Sequence, residues 1–263
     1  TKIYLGHVYG VVSNNLIHIN ALHLIINLVG LWVFGAFIER RIGWFKMATL
    51  GLVCSIFGSM LQLTFSDDAG LGIASSIFGF YTFILIMSFQ HQLFRLRFIY
   101  VFGIALIVLL IAMMIYNAFW NDRIAIEAKL GGIIWGALIA ITQKDGELHW
   151  KKILVLFVPF AFLAATMAYS PWSSQWQCAR GIHYHKQHEI LSAEIHYKRA
   201  LEIDANNSLA QKNFTLVKVD ELSELAFKAH QKGDFTEARR LYFRILSLKK
   251  NDKWALRNLK ELP

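Results

Sequence analysis

Gly72-Ile73-Ala74-Ser75-Ser76-Ile77-Phe78-Gly79 opens an apolar segment that runs from Leu71 to about Phe89. Small side chains at this density let neighbouring helices approach closely inside a bilayer, so the run predicts a tight helix-packing joint. The rest of the chain supplies the bilayer. Of its 263 residues 56% are hydrophobic and 17% charged, where a soluble domain carries about a quarter charged residues. The composition is that of an integral membrane protein.

Working outward, six apolar stretches are long enough to cross a bilayer, near 21–38, 44–65, 71–90, 98–116, 124–142 and 153–170. Only helices or closed barrels span lipid, and long runs without two-residue alternation predict helices. Arg40, Arg41 and Lys46 lie between the first two stretches, Arg95 and Arg97 between the third and fourth, and Lys144, Lys151 and Lys152 between the fifth and sixth. The alternate connectors are poorer in basic residues, with Asp67 and Asp68 in one and Asp122, Arg123, Glu127 and Lys129 around the other. The positive-inside rule places the first set in the cytoplasm, so everything after the sixth span is expected outside it.

Residues 171–263 change character. They hold 16 Lys+Arg and 11 Asp+Glu, against 11 and 7 in residues 1–170. This third predicts a soluble, mildly basic module. No clustered basic patch with interleaved aromatics is present, so nucleic acid is not an expected partner. Gly233-Asp234-Phe235, followed by Ala238, Tyr242, Ile245, Leu246 and Leu248, has the spacing of a tetratricopeptide repeat's second helix, with Ala226 and Ala229 on the first. An earlier copy reads Tyr184, Ala193, Tyr197, Ala200, Leu201, Ile203 and Asp204. The copies are farther apart than one repeat, so residues around Ser208 to Lys218 are expected to lengthen a helix. Trp254, Ala255 and Leu259 would form a further helix capping the stack, and a generic amphipathic bundle is the alternative. Such repeats bind peptides or proteins on a concave face.

The densest polar pattern inside an apolar stretch is His18-Ile19-Asn20-Ala21-Leu22-His23-Leu24-Ile25-Ile26-Asn27. His23 and Asn27 are four apart on one helix face, so both can enter one polar pocket. Polar groups within a span are expensive and face the bundle interior or a wet cavity. The pattern continues through Gly30-Leu31-Trp32-Val33-Phe34-Gly35 to Glu39-Arg40-Arg41-Ile42-Gly43. This resembles the second transmembrane helix of the rhomboid family of intramembrane serine proteases. The resemblance implies that His23 and Asn27 line an oxyanion site with His18 packed nearby. Ser13 matches the residue that precedes this helix in the family. The Trp-Arg pair expected upstream is replaced by Tyr9-Gly10, and the family's first helix is missing, so an N-terminal segment is expected before Thr1.

On the same resemblance, Gly72-Ile73-Ala74-Ser75-Ser76 aligns with the family's Gly-x-Ser-Gly, putting Ala74 at the nucleophile and Ser75 at the following glycine. Ala128-Lys129-Leu130-Gly131-Gly132 aligns with the family's Ala-His-Leu-Gly-Gly, putting Lys129 at the catalytic histidine. Gly79, Gly132 and Gly136, with Ala140, keep the small-residue spacing for helix packing. The scaffold is retained and both members of the dyad are changed. Acyl transfer needs a hydroxyl or thiol beside a base, and Ala74 has neither. Three readings remain: an engineered inactive protease, a shifted Ser75–Lys129 dyad of the serine–lysine type, or a natural pseudoprotease. One step along a helix turns a side chain by about 100°, which carries Ser75 away from the old pocket.

Weaker candidates add little. His183, His185 and His188 lack an evident completing ligand, so no metal is expected, and Cys54 and Cys178 have no partner at ligand spacing. No phosphate-binding glycine loop is present, and no cofactor is implied. The expected architecture is all-α: a polytopic rhomboid-like helical bundle over residues 1–170, then a soluble α-helical repeat domain over 171–263. The function expected is a catalytically inactive adaptor or assembly subunit in a bacterial inner or plasma membrane. Its partners would be the lipid bilayer, a transmembrane protein at the core and a protein or peptide at the extracytoplasmic tail. A purely structural subunit of a larger complex is the third class.

Overall fold

The computed structural model describes residues 2–5, 9–67, 70–119, 125–144, 147–148 and 150–263. The connector residues Asp68, Asp122 and Arg123, and Ile124 at the head of the fifth expected span, lie outside the described residues. Among the described residues the regular structure is helical apart from a two-residue antiparallel ladder pairing Gln143 with Leu148. It divides into two compact units, Thr1–Ser170 and Pro171–Pro263.

In the first unit, short helical turns at Gly10–Ser13 and Asn14–Leu16 lead into six longer helices. These are α1 (Ala21–Ile42), α2 (Trp44–Ser66), α3 (Ala74–Gln90), α4 (Ile99–Phe119), α5 (Ile126–Thr142) and α6 (Trp150–Ala168). Among the described residues α1, α2 and α4 are long and apolar enough to cross a membrane, while α3 and residues Leu154–Ala168 of α6 are shorter apolar helices. α5 has 17 residues and carries Glu127 and Lys129. One expected boundary is corrected. The third span was expected from residue 71, but α3 starts at Ala74 because Gly72 takes a left-handed φ of +81° that a helix cannot contain.

Which helices face lipid follows from burial. Only 11% of the apolar window of α4 is buried, against 61% for α2. α2, α3 and α5 therefore form the interior. Their closest approaches are made at glycine. A Cβ added to Gly131 would come within 2.7 Å of the Gly58 Cα, and one on Gly58 would meet Ser75 Oγ at 2.6 Å. Gly132 lies against the Ser75 carbonyl, and Gly136 against that of Gly79. Around this seam pack Cys54, Phe57, Phe80, Phe83 and Trp135, with Phe57 stacked on Trp135 at 4.2 Å between ring centroids.

The second unit holds α7 (Ser174–Lys186), α8 (Ile190–Ile203), α9 (Ser208–Gln231), α10 (Phe235–Leu248) and α11 (Lys253–Lys260). Four of these begin at side-chain caps. Ser173, Asn207, Asp234 and Asp252 accept from the backbone N–H groups of Trp176, Ala210, Glu237 and both Trp254 and Ala255. α9 is 24 residues long and serves two cores. Its first half contributes Ala210 and Val217 to a cluster with Cys178, Ala193, Tyr197 and Ala200. Its second half joins Leu222 and Ala226 to Ala238, Tyr242, Ile245 and Ala255.

Candidate functional site

Asn20 starts the site. In extended conformation it accepts a 2.9 Å bond from the His23 N–H, capping α1 just before its apolar run. The helix that follows puts His23 and Asn27 one turn apart, and Asn27 is only 3% exposed. Gly72 closes the other side. A Cβ there would stand 2.8 Å from Asn27 Nδ2 and 3.0 Å from His23 Cε1, so packing and φ both require glycine. The Gly72 N–H donates to the Asn14 carbonyl at 3.1 Å, tying this turn to the entry segment. The His18 ring meets His23 edge-on at 5.2 Å. Four residues singled out from the sequence, His18, His23, Asn27 and Gly72, thus meet at one place.

Three buried polar atoms there, His18 Nε2, His23 Nδ1 and Asn27 Nδ2, have no hydrogen-bond partner among the described residues. Buried polar atoms are rarely left so, and each such exception asks for a reason. Asn27 Nδ2 is an unpaired donor of the kind that carbonyl or oxyanion binding requires. The first N–H groups of α3 add to this, because Ile73 supplies no side-chain cap.

The residues expected from the sequence at the dyad positions, Ala74 and Lys129, differ from the pocket. Ala74 is the first residue of α3 and presents a buried methyl group. Lys129, 7% exposed on the first turn of α5, donates from Nζ to the Ala125 carbonyl at 2.7 Å. Ser75 is buried with Oγ against Gly58 of α2, so its hydroxyl faces the packing seam. Among the described residues no hydrogen bond joins it to Lys129.

Sequence reasoning missed the polar residues that hold this frame. Gln62 Oε1 accepts the Ala128 N–H at 3.0 Å, so a side chain from α2 satisfies a free donor at the start of α5. Ser66 Oγ donates to Glu127 at 2.7 Å. Asn15 Nδ2 donates to the Val11 carbonyl at 2.8 Å and reaches Ser59 Oγ at 3.3 Å. Ser76 Oγ meets Ser55 Oγ at 2.6 Å and donates to the Gly51 carbonyl. A lone Gln or Ser inside an apolar run was the available signal. In the second unit His185 Nε2 lies 2.9 Å from Asp220 Oδ2, a pairing across 35 residues that spacing did not reveal. Among the described residues no three metal-ligating side chains gather.

Residues 5–145 match the family model described as the rhomboid domain. The chain is 26% identical over 245 residues to the rhomboid protease GluP of Bacillus subtilis, covering 92% of this chain and 46% of that protein. It is 25% identical over 143 residues to the rhomboid protease GlpG of Haemophilus influenzae, covering 53% of this chain and 74% of that protein. The chain thus spans about half the length of the Bacillus relative. No solved structure matches it.

Proposed function

Because this chain belongs to the rhomboid family, we propose that it is a member without peptidase chemistry that binds membrane proteins as an adaptor or assembly subunit. The observation that carries the reading is the methyl group of Ala74 at the first position of α3, where the family resemblance places the nucleophile. Without a hydroxyl or thiol there, a donor pocket can hold a backbone carbonyl but has nothing to attack it with. Lys129 supports the same view, since its ammonium is engaged by the Ala125 carbonyl of its own helix. His23, Asn27 and Gly72 still meet beside these positions, which supports binding without chemistry.

The remaining parts of the proposal follow from the sequence. The six helices of the first unit are taken as membrane spans, with the basic connectors in the cytoplasm of a bacterium. Residues 171–263 are taken as an extracytoplasmic tetratricopeptide-like domain that holds the soluble part of a partner while the core engages its transmembrane segment. The second reading is an intramembrane serine protease, the activity in the names of both relatives, either as an engineered inactive form or through Ser75 and Lys129. The position of Ser75 Oγ against Gly58 weighs against the shifted dyad.

The test uses purified full-length chain in detergent, a rhomboid transmembrane substrate and a serine-directed phosphonate. The substrate is expected to stay intact and the chain unlabelled. Cleavage that disappears in Ser75→Ala would overturn the reading. Joint Ala74→Ser and Lys129→His substitution is expected to create labelling on the otherwise retained frame. A stoichiometric co-purifying membrane protein is expected from gentle extraction, and a free monomer would remove the assembly-subunit role.

A further inference from the structure

The second unit carries a groove of about 710 Å³ along one side of the α9–α10 hairpin. Its floor is apolar, with Leu222, Ala229 and Leu241 at the base and Leu225 and Leu248 standing exposed. The volume falls within the ~300–1,000 Å³ range of ligand clefts. Its charged rim is unevenly committed. Glu221 pairs with Lys218 at 3.0 Å, and Lys218 also bonds Glu194 of α8 at 2.6 Å. Glu237 holds Arg240 through both oxygens, at 2.6 and 2.7 Å. Asp234 is spent on the cap of α10.

Two of the three carboxylates lining the groove are thus paired with cations of the unit and the third caps α10, while five Lys and Arg side chains line the same groove. Lys232 and Arg244, which also line the groove, are exposed, and among the described residues neither has a carboxylate partner. Lys228 carries only an exposed i,i+4 pair with Glu224, of the weak surface kind. The charge this groove has left to offer is positive, over leucine.

We propose that the α9–α10 groove binds an acidic, leucine-rich peptide segment of a partner protein, with carboxylates meeting Lys232 and Arg244 and apolar side chains covering Leu225, Leu241 and Leu248. This rests on the adaptor reading and gives its soluble partner a chemistry. A guanidinium and an ammonium lining the groove select carboxylates by direct pairing, and the leucine floor supplies the apolar area. Binding should weaken with added salt, because the paired groups are solvent-exposed.

The experiment measures fluorescence anisotropy of a short fluorescein-labelled leucine–glutamate peptide, and of its leucine–lysine counterpart, against full-length chain in neutral detergent. The acidic peptide is expected to bind and the basic one not. Joint Lys232→Glu and Arg244→Glu should weaken the acidic peptide by about ten-fold or more and improve the basic one. Both residues are exposed, so circular dichroism and thermal melting of the variant should be unchanged. Equal binding of both peptides, no binding, or displacement by phosphatidylglycerol vesicles would overturn the proposal. Its failure is separable from that of the adaptor reading. A chain that cleaves substrate yet binds the peptide removes only the inactive-protease reading, and one that neither cleaves nor binds removes only the groove.

Discussion

The two units differ in where their helices come closest. In the first, α2, α3 and α5 touch through glycine: Gly58 faces Gly131, and Gly132 faces the Ser75 carbonyl. In the second, large rings fill the gaps between helices, and a Cβ on Gly181 would lie 2.6 Å from the Tyr197 ring. Tyr197 and Tyr242 are both fully buried. Lipid chains are as apolar as leucine, so burying large side chains against another helix gains little there and close backbone packing must hold the helices together. Water makes burial of aromatic area the dominant stabilising term in the tail. The same helical alphabet is thus packed under two different solvents.

The comparison can be broken by exchanging the devices. Tyr197→Ala should cost about 3–5 kcal/mol in the tail, read as loss of its cooperative melt. Gly132→Val should cost about 3 kcal/mol in the membrane unit, because the added side chain meets main-chain atoms of Ser75 that cannot yield. If Gly132→Val leaves the detergent melting temperature unchanged, the backbone seam is not what holds the bundle. Tyr197→Phe sharpens the point. The Tyr197 hydroxyl is buried without a hydrogen-bond partner among the described residues, so removing it should be neutral or stabilise by about 1 kcal/mol. A clear loss of stability would show that the hydroxyl is paired after all.

The smallest effects lie at the caps. Asp252→Ala should cost about 1 kcal/mol, seen as fraying of α11 by hydrogen exchange. Burial opposes ionisation of Asp252, but the Lys249 ammonium and the Ala255 and Trp254 N–H groups outweigh it and hold its carboxyl below the usual aspartate range. A depressed folded value means that this stabilisation is full above the unfolded pKa and is lost as pH falls through the folded one. Acid should therefore release α11 before the Tyr197 cluster, and simultaneous loss would contradict this order.

Much of the fold was legible because a few residues carry strong local physics. Apolar length marked the helices of the first unit. Gly79, Gly132 and Gly136 stand where helix backbones meet, and the residues from Ser208 to Lys218 fall within the long α9. His18, His23, Asn27 and Gly72 were readable as a group because one helix face and one obligatory glycine relate them. Less visible were the polar struts. Gln62 reaches Ala128, and His185 reaches Asp220, across intervals with no period, so spacing carried no signal. The non-helical turn before Ala74 was hidden by apolar neighbours, since hydropathy is blind to φ.

By itself the sequence determined the family and the helical class, and it set alanine at 74 and lysine at 129, because those depend on residue identity and short-range periodicity. Only the tertiary structure decided where Ser75 Oγ and Lys129 Nζ go. Ser75 is turned to Gly58 and Lys129 to its own Ala125 carbonyl, since a side chain's direction is set by the backbone packed against it. The tertiary structure likewise decided which charges of the tail are spent and which remain free. Ion pairing between helices depends on their distance in space, which no spacing along the chain specifies.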